Sequence, residues 1–220
     1  MRIVIAGAHG QIARRLGRLL SGRGDTVVGL VRNPDHTADL ESDGVDPAVL
    51  DLESATVEEL AEVLHGADAV VFAAGAGPGS GEARKHTVDH GAAVLLADAA
   101  EQAGVGRYVL VSSMGVEQAR EGTPQGVDPV MAVYLQAKLR AEDEILPREA
   151  LATTILRPGG LTDEPGTGRV LLARSTGYGN VPRDDVAAVL VALLDARRDG
   201  AVVELVAGDT PIDEAVANVT

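Results

Sequence analysis

Residues 2–13 read RIVIAGAHGQIA, and this stretch decides the fold. A short apolar run ends at Gly7 and Gly10, and an amphipathic segment containing Leu16 and Leu20 follows at once. That order predicts a strand, a tight glycine turn and the start of a helix. The unpaired N–H groups at a helix N-terminus attract anions, so this turn is a ready site for a phosphate group.

The rest of the chain repeats this alternation of apolar, β-branched runs with helical stretches. Further strands are predicted at residues 26–31, 45–50, 69–74, 107–111, 153–156 and 202–206. Such alternation is typical of parallel strands joined by right-handed crossovers. We therefore predict an α/β fold, a Rossmann-type doubly wound parallel sheet of about seven strands with helices on both faces. Residues 1–220 are expected to form one domain, with residues 161–181 as a small substrate-covering loop.

The composition narrows the possible partners. Of 220 residues, 45% are hydrophobic, and the formal net charge is −14. This charge argues against nucleic acid or an anionic membrane surface as a partner, because both attract positively charged proteins. Cysteine is absent from the sequence, which excludes disulfides and thiolate chemistry. The first apolar run is too short for a signal peptide or a membrane span, so we expect a cytoplasmic protein, monomeric or homodimeric, with a small-molecule substrate.

Ligands of such sheets bind beyond the carboxyl ends of the strands, and the first of these loops has the pattern G-x-x-G-x-x-A. Gly7 permits the tight turn, Gly10 lets the backbone approach a pyrophosphate, and the small Ala13 allows the helix to pack closely on the sheet. The pattern predicts a dinucleotide site. The alternative is an ordinary turn between a strand and a helix.

The residue after the second strand indicates which dinucleotide binds. A site for NAD usually has an acid here for the ribose 2′-hydroxyl, whereas this chain has Arg32, whose guanidinium suits a 2′-phosphate. NADP(H) is therefore favoured over NAD(H), unless Arg32 is simply a solvated turn residue. After the third strand, Asp51 and Leu52 are expected at the adenine, although Asp51 suits a helix N-cap nearly as well.

Tyr134 and Lys138 form Tyr-x-x-x-Lys on a predicted helix, so both side chains lie on one face. Lysine can lower the pKa of a neighbouring phenol, and a phenol near neutral pKa is a serviceable acid for a carbonyl that is being reduced. Ser112 and Ser113 end the fifth strand, where a hydroxyl can polarise the same carbonyl. The alternatives are an interfacial tyrosine with a solvated lysine, and serines that cap a loop.

With these motifs, Arg-Pro-Gly-Gly after the sixth strand and the RDDVA segment at 183–187, almost the whole chain resembles the short-chain dehydrogenase/reductase superfamily. More narrowly, it is similar to the atypical NAD(P)H-binding, epimerase/dehydratase-like branch. The resemblance implies Ser113 as the carbonyl-polarising hydroxyl, Tyr134 as acid/base and Lys138 as ribose-binding activator. It also implies a set of cofactor-binding residues: Gly7, His9, Gly10, Gln11, Ile12, Arg32, Asp51, Leu52, Ala73, Ala74, Gly75, Ser112, Lys138, Pro158, Gly159 and Gly160.

The chain departs from the family pattern in having His9 where threonine is common and Ala13 in place of a third glycine. The short stretch after Pro158 argues against a large nucleotide-sugar substrate. We therefore expect an NADPH-dependent oxidoreductase that transfers hydride to a small carbonyl or conjugated acceptor. A flavin or quinone reductase of the same branch and a non-catalytic NADP(H)-binding sensor are the alternatives. No metal is expected, since His86 and His90, spaced as helical ligands, lack an obvious third ligand.

Overall fold

The computed structural model describes residues 1–77, 79–122, 126–196 and 200–219. Its centre is a nine-stranded sheet in the order β11-β8-β10-β6-β5-β4-β1-β2-β3. The strands, two of which lie outside this sheet, are β1 Arg2–Ala6, β2 Thr26–Val31, β3 Asp46–Val49, β4 Ala69–Phe72, β5 Arg107–Val111, β6 Ala152–Pro158, β7 Gly160–Thr162, β8 Arg169–Ala173, β9 Asn180–Pro182, β10 Val202–Ala207 and β11 Thr210–Pro211.

The seven strands foreseen from the sequence are present, and all of them pair in parallel: β3-β2-β1-β4-β5-β6-β10. The strand order reverses direction at β1, which pairs with β2 on one side and β4 on the other. This is the doubly wound arrangement, and it places the loop after β1 at the point where a ligand crevice opens. The predicted Rossmann-like α/β fold is confirmed.

The predicted strand number was wrong, because the main sheet has nine strands rather than about seven. The two extra strands, β8 and β11, extend the β10 edge in antiparallel pairing. β8 lies inside the segment predicted as a covering loop, and its residues alternate between buried and exposed. β8 lies second from the edge of the sheet and is covered on one face, so its short apolar run gives a weaker signal than a central strand. β7 and β9, from the same segment, pair in parallel as a separate ribbon.

Helices cover both faces of the sheet. They are α1 Gln11–Gly22, α2 Thr37–Ser42, α3 Val57–Leu64, α4 Gly81–Arg84, α5 Ala93–Ala103, α6 Pro129–Ile145, α7 Arg183–Ala196 and α8 Ile212–Asn218. A π-helical segment, Lys85–Ala92, joins α4 to α5, so the winding changes in the middle of this helical run. Extra π turns of this kind are frequent at functional sites because they redirect side chains.

Each central strand contributes side chains to two hydrophobic layers. In β1, Ile3 and Ile5 pack on the side of α1 and α7, whereas Val4 and Ala6 pack on the side of α3 and α5. Successive side chains of a strand point to opposite faces, so a strand covered on both sides must be apolar throughout. In the described part of the chain, no helix is both long and apolar enough to span a membrane.

Candidate functional site

A cavity of about 400 Å³ opens at the carboxyl ends of β1 to β4. The predicted cofactor-binding residues in its wall are Gly7, His9, Gly10, Arg32, Asp51, Leu52, Ala73, Ala74 and Gly75. Residues from four separate loops therefore meet where the reversal of strand order places a ligand. Sequence reasoning missed Leu30, Val31, Asn33, His36, Leu50, Glu53, Arg84, Val88 and Ala92, which also line it.

The floor of the cavity is the glycine turn. Gly7 has φ +77°, and a Cβ on it would lie 2.5 Å from the Cα of Ala74, so no larger residue fits. Gly10 precedes α1 in extended conformation, and among the described residues no side chain caps this helix. Its first N–H groups therefore point, uncapped, toward the end of the cavity where a pyrophosphate would lie. The open space, the close backbone approach and the uncapped helix fit a dinucleotide.

The two remaining residues predicted near the pyrophosphate begin α1. The carbonyl of Gln11 accepts a hydrogen bond from Arg15, and its side chain is exposed. Ile12 packs against the core beneath the turn. Neither is part of the cavity wall. A role for these two residues through their backbone N–H groups remains a prediction.

Arg32 stands at the cavity mouth in contact with a carboxylate. Its guanidinium donates to Glu53 Oε2 at 3.1 Å, and Arg84 donates to the same oxygen at 2.6 Å. Thr87 donates to the other Glu53 oxygen. The hydrogen bond from Arg84, followed by that from Thr87, lowers the pKa of Glu53 below its usual range. Glu53 follows Asp51 by two residues, and this proximity was the available sequence signal for it.

Two histidines stack in the cavity wall. The rings of His9 and His36 lie 3.6 Å apart between centroids and within 7° of parallel. His9 Nε2 lies 2.7 Å from Asp39 Oδ2. His36 ends the turn that follows β2, four residues after Arg32, and only the folded chain brings it onto His9. Its sequence position alone did not indicate a site.

Ser113 and Tyr134 meet beyond β5, outside the cavity wall just described. The Ser113 hydroxyl donates to the Met114 carbonyl at 3.1 Å and interacts with the Tyr134 phenol. Burial raises the pKa of Tyr134 to about 12, and the charge of Asp89 acts in the same direction, whereas Ser113 opposes it. The direction is opposite to the expectation of a phenol near neutral pKa. At neutral pH this phenol holds its proton.

Lys138 is buried on the same face of α6 as Tyr134. Its ammonium donates to the carbonyls of Val111 at 3.1 Å and Ala74 at 3.3 Å, and lies 3.5 Å from Asp89 Oδ1. Burial lowers the pKa of Lys138, while Asp89 acts to raise it. The other Asp89 oxygen accepts from the Ala76 N–H. The lysine is therefore held between the ends of β4 and β5.

The π-helical segment supplies both Asp89 and a second lysine to this cluster. Lys85 Nζ lies 5.5 Å from the centre of the Tyr134 ring and donates to the Gly77 carbonyl at 2.9 Å. Lys85 thus approaches Tyr134, and Lys138 approaches Asp89. His90, one of the two histidines spaced as helical ligands, has another partner, since its Nε2 lies 2.8 Å from a Glu144 oxygen. Within the described ranges, no three His, Cys, Asp or Glu side chains are grouped to hold a metal.

Ser112 lies in a buried ionic network behind Ser113. Its hydroxyl donates to Glu142, which also forms a close ion pair with Arg157. Arg157 reaches Glu117 at 2.8 Å as well. Glu142 follows Lys138 by four residues on α6, so one helix carries the phenol, the buried lysine and this carboxylate.

Pro158, Gly159 and Gly160 connect β6 to β7. A Cβ on Gly159 would lie 2.1 Å from the Gly179 carbonyl oxygen, and one on Gly160 would lie 2.3 Å from Asn180 Oδ1. Gly159 is needed for the close approach of the Gly179 backbone, whereas Gly160 faces the side chain of Asn180 in β9. That packing explains the glycine pair structurally, and its predicted contact with nicotinamide stays a prediction.

The glycine turn, the reversal of strand order and the cavity together define a nucleotide-binding Rossmann-type domain. Residues 7–197 match the protein-family model described as NAD(P)H-binding. The chain belongs to this NAD(P)H-binding family, and the match supports a nicotinamide cofactor. The finding also confirms the prediction of an NAD(P)-dependent enzyme of the oxidoreductase or epimerase-like kind.

Several known proteins are similar over nearly the whole chain. "Uncharacterized sugar epimerase YhfK" of Bacillus subtilis is 37% identical over 98% of this chain and 99% of its own length. A Bacillus halodurans structure, provisionally assigned as an NAD-dependent epimerase/dehydratase, is 35% identical with a TM-score of 0.89, covering 99% of both chains. ChuY, an anaerobilin reductase from Escherichia coli O157:H7, is 25% identical with a TM-score of 0.80, covering 95% of this chain and 98% of its own.

Proposed function

We propose that the protein is an NADPH-dependent reductase of the atypical short-chain dehydrogenase/reductase type, acting on a small carbonyl or conjugated acceptor. The observation that carries this proposal is the position of Tyr134, a protonated phenol beside Ser113 at the end of the sheet where the nicotinamide half of a cofactor would extend. The bound cofactor would supply the hydride. The chain must then polarise the acceptor, provide a proton and hold the cofactor.

In this proposal Ser113 polarises the acceptor oxygen and Tyr134 gives it a proton. A pKa of about 12 keeps Tyr134 protonated at neutral pH, so it is prepared to donate rather than to accept. A developing alkoxide is a stronger base than phenolate, so the transfer is favourable as negative charge grows on the acceptor. A protonated phenol is the form that reduction requires of a general acid.

Lys138 and Asp89 would maintain the electrostatic environment of the proton donor. The ammonium lies between the carbonyls of Ala74 and Val111 and is neutralised by Asp89 at 3.5 Å. The Lys138 ammonium therefore stays in one position below the expected ribose, because moving it would separate the buried Lys138–Asp89 pair. Its predicted contact with the ribose belongs to the same proposal.

The preference for NADPH rests on Arg32. Its side chain is 55% exposed, lines the cavity and, within the described part of the chain, is held by its contact to Glu53. An exposed ion pair exchanges partners at low cost, so the guanidinium is available to a 2′-phosphate. Gly7, Gly10 and the uncapped start of α1 would hold the pyrophosphate, and Asp51 and Leu52 would border the adenine.

A second candidate is a reductase of conjugated acceptors, flavins or quinones that does not use Tyr134 as proton donor. Tyr134 is not part of the cavity wall, and an extended acceptor can take its proton from water, so the reaction need not involve this phenol. The similarity to a protein named an anaerobilin reductase points to the same class. A protein that binds the cofactor without catalysis is the third possibility.

The decisive variant is Tyr134→Phe, assayed with NADPH against carbonyls, quinones and flavins. We expect kcat for the productive carbonyl to fall by about 100-fold or more, with NADPH affinity unchanged, because one proton donor is lost. Tyr108→Phe is the matched control: its hydroxyl donates to the Ala93 carbonyl inside the core, so stability falls and turnover does not. Full activity of Tyr134→Phe would favour the second candidate, and NADPH binding without any turnover in the parent would favour the third.

A further inference from the structure

The fixed charges of the cavity wall cancel. Among the described residues that line it, Arg32 and Arg84 carry positive charge, and Asp51 and Glu53 carry negative charge. Glu53 already neutralises part of both arginines through contacts of 3.1 and 2.6 Å. A 2′-phosphate brings up to two negative charges into this wall, so its binding calls for a further positive charge.

The stacked pair His9–His36 is the part of the wall whose charge can change. Both rings are half-buried and face the same cavity as Arg32 and Asn33. An imidazole gains or loses its charge within the ordinary physiological pH range. A ring that is protonated becomes a donor at both nitrogens, which suits a phosphate oxygen.

The surroundings favour one added proton rather than two. His9 contacts Asp39, which is also 3.4 Å from Arg14, so this carboxylate is shared between two cations. Two imidazolium rings at 3.6 Å would repel each other, so the stacked geometry favours a single added charge. The other charged groups near the pair, on its own turns or across the cavity, are Arg32, Asp35, Asp43, Asp51, Glu53 and Arg84.

We infer that the His9–His36 pair takes up about one proton when the 2′-phosphate of NADPH binds, so that pH regulates NADPH affinity and leaves NADH affinity nearly unchanged. The inference rests on the proposed NADPH-dependent function. Binding that takes up a proton becomes tighter as pH falls and weaker as pH rises. The cofactor phosphate has its own second ionisation near about pH 6, below the working range and opposite in effect.

The test measures Kd for NADPH and NADH by cofactor fluorescence between about pH 6.5 and 8.5. We expect NADPH to bind about tenfold more tightly at the lower pH, and NADH to change by less than about twofold, because one pKa unit corresponds to a tenfold change in affinity. Titration calorimetry in buffers of different ionisation enthalpy counts the proton taken up with NADPH. Neither measurement depends on turnover.

Two substitutions at one position separate charge from shape. His36→Gln removes the titrating ring and should make NADPH binding weak and less dependent on pH. His36→Lys places a permanent positive charge there and should keep binding tight at the higher pH. His65→Gln is the matched control, because His65 is an exposed histidine at the end of α3, remote from the cavity wall, and should keep the parent pH profile.

The outcomes are distinguishable. Equal pH profiles for NADPH and NADH, or a parent profile retained in His36→Gln, would overturn the regulation by the histidine pair and leave the proposed reductase intact. Failure of the parent to bind either cofactor would overturn both. The inference is supported if His36→Lys binds NADPH tightly at every pH and His36→Gln binds NADPH weakly.

Discussion

The two halves of the site differ in how their charges are held. At the proposed adenosine end, Arg32 is 55% exposed and touches Glu53 at the cavity mouth. At the proposed nicotinamide end, Lys138 and Asp89 are 4% and 0% exposed. Water screens the first pair and stabilises its members when they separate, whereas the second pair has no such support. The difference indicates that the exposed charges can select a ligand, while the buried charges hold a fixed geometry.

The largest expected effect comes from breaking the buried pair with Lys138→Met. The substitution leaves the Asp89 carboxylate buried without its cation, which typically costs about 3–5 kcal/mol of unfolding free energy. Urea denaturation followed by circular dichroism measures this loss. A loss below about 1 kcal/mol would show that the buried Lys138–Asp89 pair can be separated as easily as the exposed Arg32–Glu53 pair.

The control is the double variant Lys138→Met, Asp89→Leu. Replacing both members of a buried pair by apolar groups removes the uncompensated charge, so stability should return toward that of the parent. A double variant as unstable as the single one would assign the loss to packing around the substituted side chain on α6 rather than to charge.

An intermediate effect is expected in the open half from Arg32→Ala. Loss of one charge-assisted contact to a 2′-phosphate should weaken NADPH binding by about tenfold or more, with NADH binding changed less than about twofold. Equilibrium titration of both cofactors measures the ratio. Arg120→Ala is the matched control, since this exposed arginine pairs with Asp143 away from the cavity. Equal losses for NADPH and NADH would remove Arg32 from cofactor selection.

The smallest effect concerns the pH dependence of stability, tested with Glu53→Gln. The lowered pKa of Glu53 means that its ion pairs stabilise the folded protein above about pH 4.5 and are lost as pH falls through the lower folded value. The parent should therefore exceed Glu53→Gln in stability by about 1 kcal/mol or less at pH 7. Urea unfolding at several pH values should show this gap closing in acid; a gap that stays constant with pH would contradict the assignment.

Most of the confirmed fold predictions came from local patterns in the sequence. The apolar runs around Ile3, Val28 and Val71 predicted strands because a sheet covered on both faces needs continuous hydrophobicity. The turn at Gly7 and Gly10 predicted a dinucleotide site because only glycine permits such close backbone approach. β8 was missed because this strand, second from the edge and covered on one face, offers only two strongly buried residues, Val170 and Leu172.

The sequence by itself determined the order of strands and helices, the glycine turn and the placement of Arg32 and Tyr134 in loops and helices that face one edge of the sheet. These follow from periodicity and backbone geometry, which act over a few residues. Only the tertiary structure decided that His36 stacks on His9, that Glu53 holds Arg32 and that Asp89 neutralises Lys138. Burial and partners set the charge of each group, and both depend on segments that are far apart in the chain.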